Sequence, residues 1–223
     1  MTAETAGTAE RKDAGGQRGA GWVEIVATVL LALAAVATAW SSYQANRWNG
    51  EQAKTAARVN ALRIEAARAQ GLSQAQTQVD IAMFFQWVNA TETGDRELAG
   101  FYRARFRPEF GPAFDAWQAT DPLTDPEAPP TPFAMEEYQL QARTDSEALD
   151  AEAEQTAALV LTHIQTSANY VLAIVLFAVA LFFAGMSAKL RGAGTRKALL
   201  LVGCIVFIGT AIWIATFPVV LSV

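Results

Sequence analysis

Residues 170–188 read YVLAIVLFAVALFFAGMSA, nineteen positions without a charge, a proline or a side-chain amide. An α-helix needs about 20 apolar residues to cross the hydrocarbon of a bilayer. Two further stretches match that description. Residues 22–40 (WVEIVATVLLALAAVATAW) carry Glu24 as their only charge, and residues 198–221 (ALLLVGCIVFIGTAIWIATFPVVL) carry none. Hydrophobic residues make up 52% of the chain and charged residues 17%, too apolar a balance for an ordinary soluble domain. The fold predicted from these runs is an all-α membrane protein with three transmembrane helices, at 22–43, 169–188 and 198–221.

Trp22, Trp40, Tyr43, Tyr170 and Trp213 lie at or near the ends of these runs, where amphipathic rings prefer the membrane interface. The first run also has the A-x-A spacing (Ala35, Ala37, Ala39) that a signal peptidase accepts, so cleavage there is an alternative. Orientation follows from Lys and Arg near the span ends. With the N-terminus inside, the cytoplasm holds Arg11, Lys12, Arg18, Lys189, Arg191, Arg196 and Lys197, seven bases against the four at Arg47, Lys54, Arg58 and Arg63. This places the N-terminus in the cytoplasm and the C-terminus outside, with residues 1–21 a disordered cytoplasmic tail and 189–197 a short basic loop.

Residues 44–168 then form an extracytoplasmic helical domain holding 18 acids and 10 bases. An acidic domain on an apolar base argues against nucleic acid as a partner. Residues 44–70 are rich in Ala, Gln and Arg, so the first span is expected to continue as a helix beyond the lipid. Residues 135–168 contain no Pro or Gly, and Tyr138, Ala142, Leu149, Ala153, Val160 and Ile164 recur close to a heptad stripe. Together 44–70 and 135–168 predict an antiparallel stalk leaving the membrane. Counting equal distances from the two spans sets Arg58 level with Glu154, Arg63 with Asp150 and Arg68 with Asp145. Exposed pairs of this kind contribute about 0–1 kcal/mol each, so they bear on register more than on stability.

The tip of the stalk is expected at 71–134. Gly71 interrupts the first helix, and Ser73 with Gln76 makes a capping-box pattern for a second helix over 73–90. Asp95 can cap a third. Residues 105–123 (RFRPEFGPAFDAWQATDPL) line Phe106, Phe110, Phe114 and Trp117 along one helical face, broken by Pro108 and Pro112. That stripe reads as core. Arg103, Arg105 and Arg107 beside it are a candidate contact for a partner or an anion, although Glu109 and Asp115 are close enough to neutralise them.

Catalytic signatures are missing: the sequence has no GxxxxGK[ST], GxSxG, HExxH or CxxC. One Cys (Cys204) and one His (His163) leave no disulfide within the chain and few ways to assemble a zinc site. His163 is expected on the stalk seam, where it is a possible pH-sensitive residue. Glu24, one turn inside the first span, is favoured by the helix dipole if the helix begins there. Small residues at Ala27, Ala34 and Ser41, at Ala35, Ala39 and Ser42, and at Ala180, Ala184 and Gly185 suit tight helix packing.

At 105–133, at 40–53 (WSSYQANRWNGEQA) and at 170–185 the chain resembles a group of bacterial three-span inner-membrane proteins of unknown function. The resemblance implies a bacterial inner membrane and carries no functional residue. The expectation is a non-enzymatic scaffold or accessory subunit, with no cofactor and no metal. Its partners would be the lipid bilayer and either a second copy or another membrane protein. A sensor relaying to a partner and a subunit of an oligomeric channel or transporter are the alternatives.

Overall fold

The computed structural model describes residues 6–122, 124–190 and 192–220, with side chains from residue 21 onward. Every regular element among these residues is helical: α1 (Ala6–Glu92), α2 (Arg96–Arg103), α3 (Gly111–Gln118), a 3₁₀ turn (Pro132–Ala134), α4 (Gln141–Lys189) and α5 (Ala193–Ala215). The prolines decide where helices stop. All eight lie at 108–132 or at 218, so α1 and α4 have none, and Pro112 sits in the first turn of α3 where its missing N–H costs nothing. Three of the helices, α1, α4 and α5, are long and apolar enough to cross a membrane.

The chain divides into two compact units, Met1–Thr55 with Leu159–Val223, and Ala56–Ala158. Unit 1 holds the three apolar segments and packs on small residues. Val23, Ala27, Leu30 and Ala34 of α1 are buried, as are Ala173, Phe177, Ala180 and Ala184 of α4, and Leu200, Gly203 and Thr210 of α5. Gly203 shows how close the approach is. A Cβ added there would stand 3.3 Å from the Ala180 carbonyl oxygen and 3.5 Å from the Ala184 nitrogen. At the other end of unit 1 the Gln44 side chain, fully buried, brackets the backbone of Val220. Its Oε1 accepts from the Val220 N–H at 3.2 Å, and its Nε2 donates to the Val220 carbonyl at 3.5 Å. Trp48 Nε1 (3.3 Å) and the Tyr170 hydroxyl (3.1 Å) both donate to the Pro218 carbonyl.

Unit 2 is built around rings. Phe84, Trp87, Phe110, Phe114, Trp117, Tyr138 and Leu140 form one buried cluster, with Phe106, Phe133 and Met135 packed against it. Trp87 meets Phe114 edge-on at 4.8 Å and Phe84 meets Trp117 edge-on at 5.3 Å, the arrangement ring quadrupoles favour. The Trp117 indole N–H donates to the Pro129 carbonyl at 2.8 Å, closing the loop that follows α3.

Several expectations are corrected. Gly71 does not interrupt a helix; α1 runs unbroken through it to Glu92. Its interior glycine costs about 1 kcal/mol against alanine, but buried residues on both sides (Val59, Leu62, Ala66, then Ser73, Asp80, Phe84, Trp87) keep one face packed at helical spacing. Helical backbone also occupies residues 6–20, where a disordered tail is expected, so Glu24 is not at a helix N-terminus. Arg196 Nη2, 4.0 Å from its Oε2, is the charge that faces it. On α4 the packed stripe passes through part-buried His163 and buried Ser167 and leaves Ile164 42% exposed, because steps of three and four must alternate to stay on one face. Helix α4 begins at Gln141 rather than near 135, and α5 ends at Ala215, three residues before Pro218.

Candidate functional site

Within unit 2 the polar residues converge on one carboxylate. Asp80 projects from α1 on the same face as Phe84 and Trp87 and is 1% exposed. Its Oδ2 accepts from Arg107 Nη1 at 2.8 Å and from the Tyr138 hydroxyl at 3.1 Å. The same hydroxyl lies 3.3 Å from Thr77 Oγ1. Arg107 also pairs with Glu109 through Nη2, and Glu109 Oε1 in turn accepts from the backbone N–H of Gln141, the first residue of α4. One guanidinium thus ties α1 to the turn before α3, and its acid partner supplies a cap for α4 from 32 residues away. Burial pushes the Asp80 carboxyl above its ordinary value; the Arg107 charge and the Tyr138 hydrogen bond pull it back. Burial likewise raises the Tyr138 phenol, with the Asp80 charge adding to the effect.

The three candidate arginines are therefore occupied in different ways. Arg107 is held by Asp80 and Glu109. Arg103 is paired with Asp115, and its guanidinium lies over the Phe114 ring at 5.0 Å and the Phe106 ring at 5.5 Å. Arg105 donates to the Phe101 carbonyl at 3.1 Å and stacks 3.4 Å from the centroid of the Phe101 ring. Among the described residues Arg105 has no acidic partner and is exposed, so it is the member of the trio left facing solvent. Asp95 caps α2 as its sequence position suggests, accepting from the Leu98 N–H at 2.9 Å.

Of the stalk charges, Arg58 pairs with Glu152 at 2.7 Å rather than with Glu154. Counting residues from the membrane fixes a level but not a face, and two helical positions differ by about 200° in direction. Among the described residues Arg63, Arg68, Asp150 and Glu154 form no ion pair, and Asp145 accepts instead from the Gln141 side chain at 2.7 Å. His163 lies in unit 1. Its Nδ1 is 3.4 Å from Thr55 Oγ1 and its ring is 5.3 Å from that of Trp48.

Of the two small-residue faces on the first span, Ala27, Ala34 and Ser41 are buried, whereas Ala35, Ala39 and Ser42 are exposed. No group of three metal-ligating side chains occurs among the described residues. Asp80 and its partners were not singled out from the sequence. The signal was there: Asp80 is the only charge between Arg68 and Glu92, and it stands four and seven residues before Phe84 and Trp87. The chain matches no family model, no curated protein and no solved structure.

Proposed function

We propose that this chain is an integral membrane scaffold or accessory subunit that works by protein–protein contact, not by catalysis. In this reading the three apolar helices cross a bacterial inner membrane with the N-terminus cytoplasmic. The distal parts of α1 and α4 form an antiparallel stalk outside, and the aromatic cluster closes its tip. Contacts inside the units support that direction: Ala45 and Asn49 meet Ser167, Thr55 meets His163 and Arg58 meets Glu152.

The observation that carries the proposal is apolar surface where lipid would not reach. In unit 2, Ile64 (54%), Leu72 (54%), Val79 (51%) and Phe85 (61%) are more than half exposed on α1. Ile64, Leu72 and Val79 lie along one side of the helix, and an exposed apolar row of this kind is the form a contact surface takes. The test is a photo-crosslinking amino acid placed at Leu72 or Phe85 in the full chain, irradiated in native membranes. Discrete adducts at these positions and none at Arg58 are expected. A chain that yields no adduct from either position would not be a scaffold acting through this unit.

A further inference from the structure

Ten serine, threonine, glutamine and aspartate side chains are buried among the described residues, and eight of them are hydrogen-bonded within the chain. The two that are not are Ser73 on α1 (4% exposed) and Ser146 on α4 (6% exposed). Neither makes even the bond back to its own helix that satisfies Ser41 and Ser187. A buried hydroxyl without a partner is unfavourable, and its presence in a native fold has a reason. Both serines line one groove of about 420 Å³ between α1 and α4, within unit 2. The rest of its lining is the Gln70 and Gln74 amides of α1 and the charges of Arg143, Glu147 and Asp150 on α4.

We propose that this groove is a binding site for a zwitterionic amino acid, with the two serine hydroxyls among its contacts. Water alone serves exposed charges, so the enclosed and unpartnered serines are what set this groove apart from ordinary surface. Charges of both signs then fix the class of ligand. The planar fork of Arg143 suits a carboxylate, which it can hold through two hydrogen bonds. Glu147, one helical turn further on, and Asp150 suit ammonium groups. Arg143 and Glu147 share a face of α4 and form no ion pair with each other, so a molecule carrying a carboxylate beside an ammonium bridges them. Two acids to one base favour an amino acid with a second cationic group on its side chain. No aromatic or aliphatic side chain lines the groove, which offers nothing to the apolar face of a sugar or to a lipid chain. This site adds a ligand to the chain without depending on the scaffold reading.

Calorimetric titration of the full chain in detergent micelles tests this with L-lysine, L-alanine, L-glutamate and glucose. L-lysine is expected to bind saturably, one molecule per chain, and more tightly than L-alanine, whereas L-glutamate and glucose should not saturate. Arg143→Gln, and separately Ser73→Ala combined with Ser146→Ala, should each weaken L-lysine binding about tenfold. Glu97→Gln, on α2 and outside the groove, should leave it unchanged. The serine pair has a second readout. Without ligand, alanine at both positions should not lower the melting temperature, because the hydroxyls have no partner in the chain to lose. A fall in melting temperature would assign the serines to packing and overturn the proposal. No saturable heat with L-lysine or L-alanine overturns it too, as does binding that survives both sets of substitutions. Saturation by glucose or L-glutamate in place of L-lysine overturns the class of ligand.

Discussion

Units 1 and 2 reach a packed interior with a different balance of side chains. Where its helices approach closely, unit 1 uses Ala27, Ala34, Ala180, Ala184 and Gly203, residues with little surface to remove from water, beside the fully buried rings of Tyr170 and Phe177. Unit 2 uses Phe84, Trp87, Phe110, Phe114 and Trp117, among the largest side chains available. Between apolar helices surrounded by lipid, there is no hydrophobic gain from hiding large side chains, and association depends on backbones coming close. In water the reverse holds, and buried aromatic area dominates. The contrast in residue size is thus what the two solvents of a membrane-anchored domain would demand.

It implies opposite sensitivities: unit 2 should fail when emptied and unit 1 when overfilled. The largest effect is expected from Phe114→Ala, which removes a fully buried ring touching Trp87, Phe106 and the Arg103 guanidinium. A loss of about 3–5 kcal/mol should appear in denaturant unfolding of the detergent-solubilised chain followed by tryptophan fluorescence. A loss below about 1 kcal/mol would mean the ring cluster is not what holds unit 2 together.

Arg107→Ala comes next, at about 3 kcal/mol, because it leaves Asp80 buried without its cation. The pH dependence supplies an internal check. A carboxyl raised by folding binds its proton more tightly in the native state, so its contribution favours the fold at low pH and is lost as pH rises through the elevated value. Asp80→Asn should flatten that part of the stability–pH curve, and Arg107→Ala should steepen it. An unchanged slope in both variants would show that Asp80 does not titrate as its burial indicates.

Gly203→Leu tests the other half of the comparison. Its side chain would meet backbone atoms of Ala180 and Ala184 that cannot move aside, for an expected cost of about 1–3 kcal/mol, read as a lower melting temperature in detergent. Full tolerance of leucine would mean that unit 1 is loosely packed there. The smallest effect belongs to Arg58→Ala. Both its side chain and that of Glu152 are largely exposed (67% and 46%), so the change should stay under about 0.5 kcal/mol and shrink further in salt.

What could be read from the sequence was whatever local chemistry decides. The apolar runs gave three membrane-length helices, proline positions marked the breaks, Asp95 announced a cap, and the four-residue spacing of Phe106, Phe110 and Phe114 gave the ring cluster. What escaped joins distant residues. Asp80 meets Arg107 across 27 positions and Tyr138 across 58, while Gln44 meets Val220 across 176. No periodicity within a window reports such pairs. Gly71 and Glu152 show the subtler gap. In the first case packing on both sides overrode a weak local preference, and in the second a count along the axis could not tell which way a side chain points.

The bracket formed by Gln44 carries one more consequence. A glutamine amide offers a C=O and an N–H in the same plane, and here it stands beside Val220 as a single residue of a neighbouring strand would. It therefore recognises main chain and is indifferent to the side chain presented. Of the twenty identities at 220, the bracket itself discriminates only against proline, which has no N–H to give.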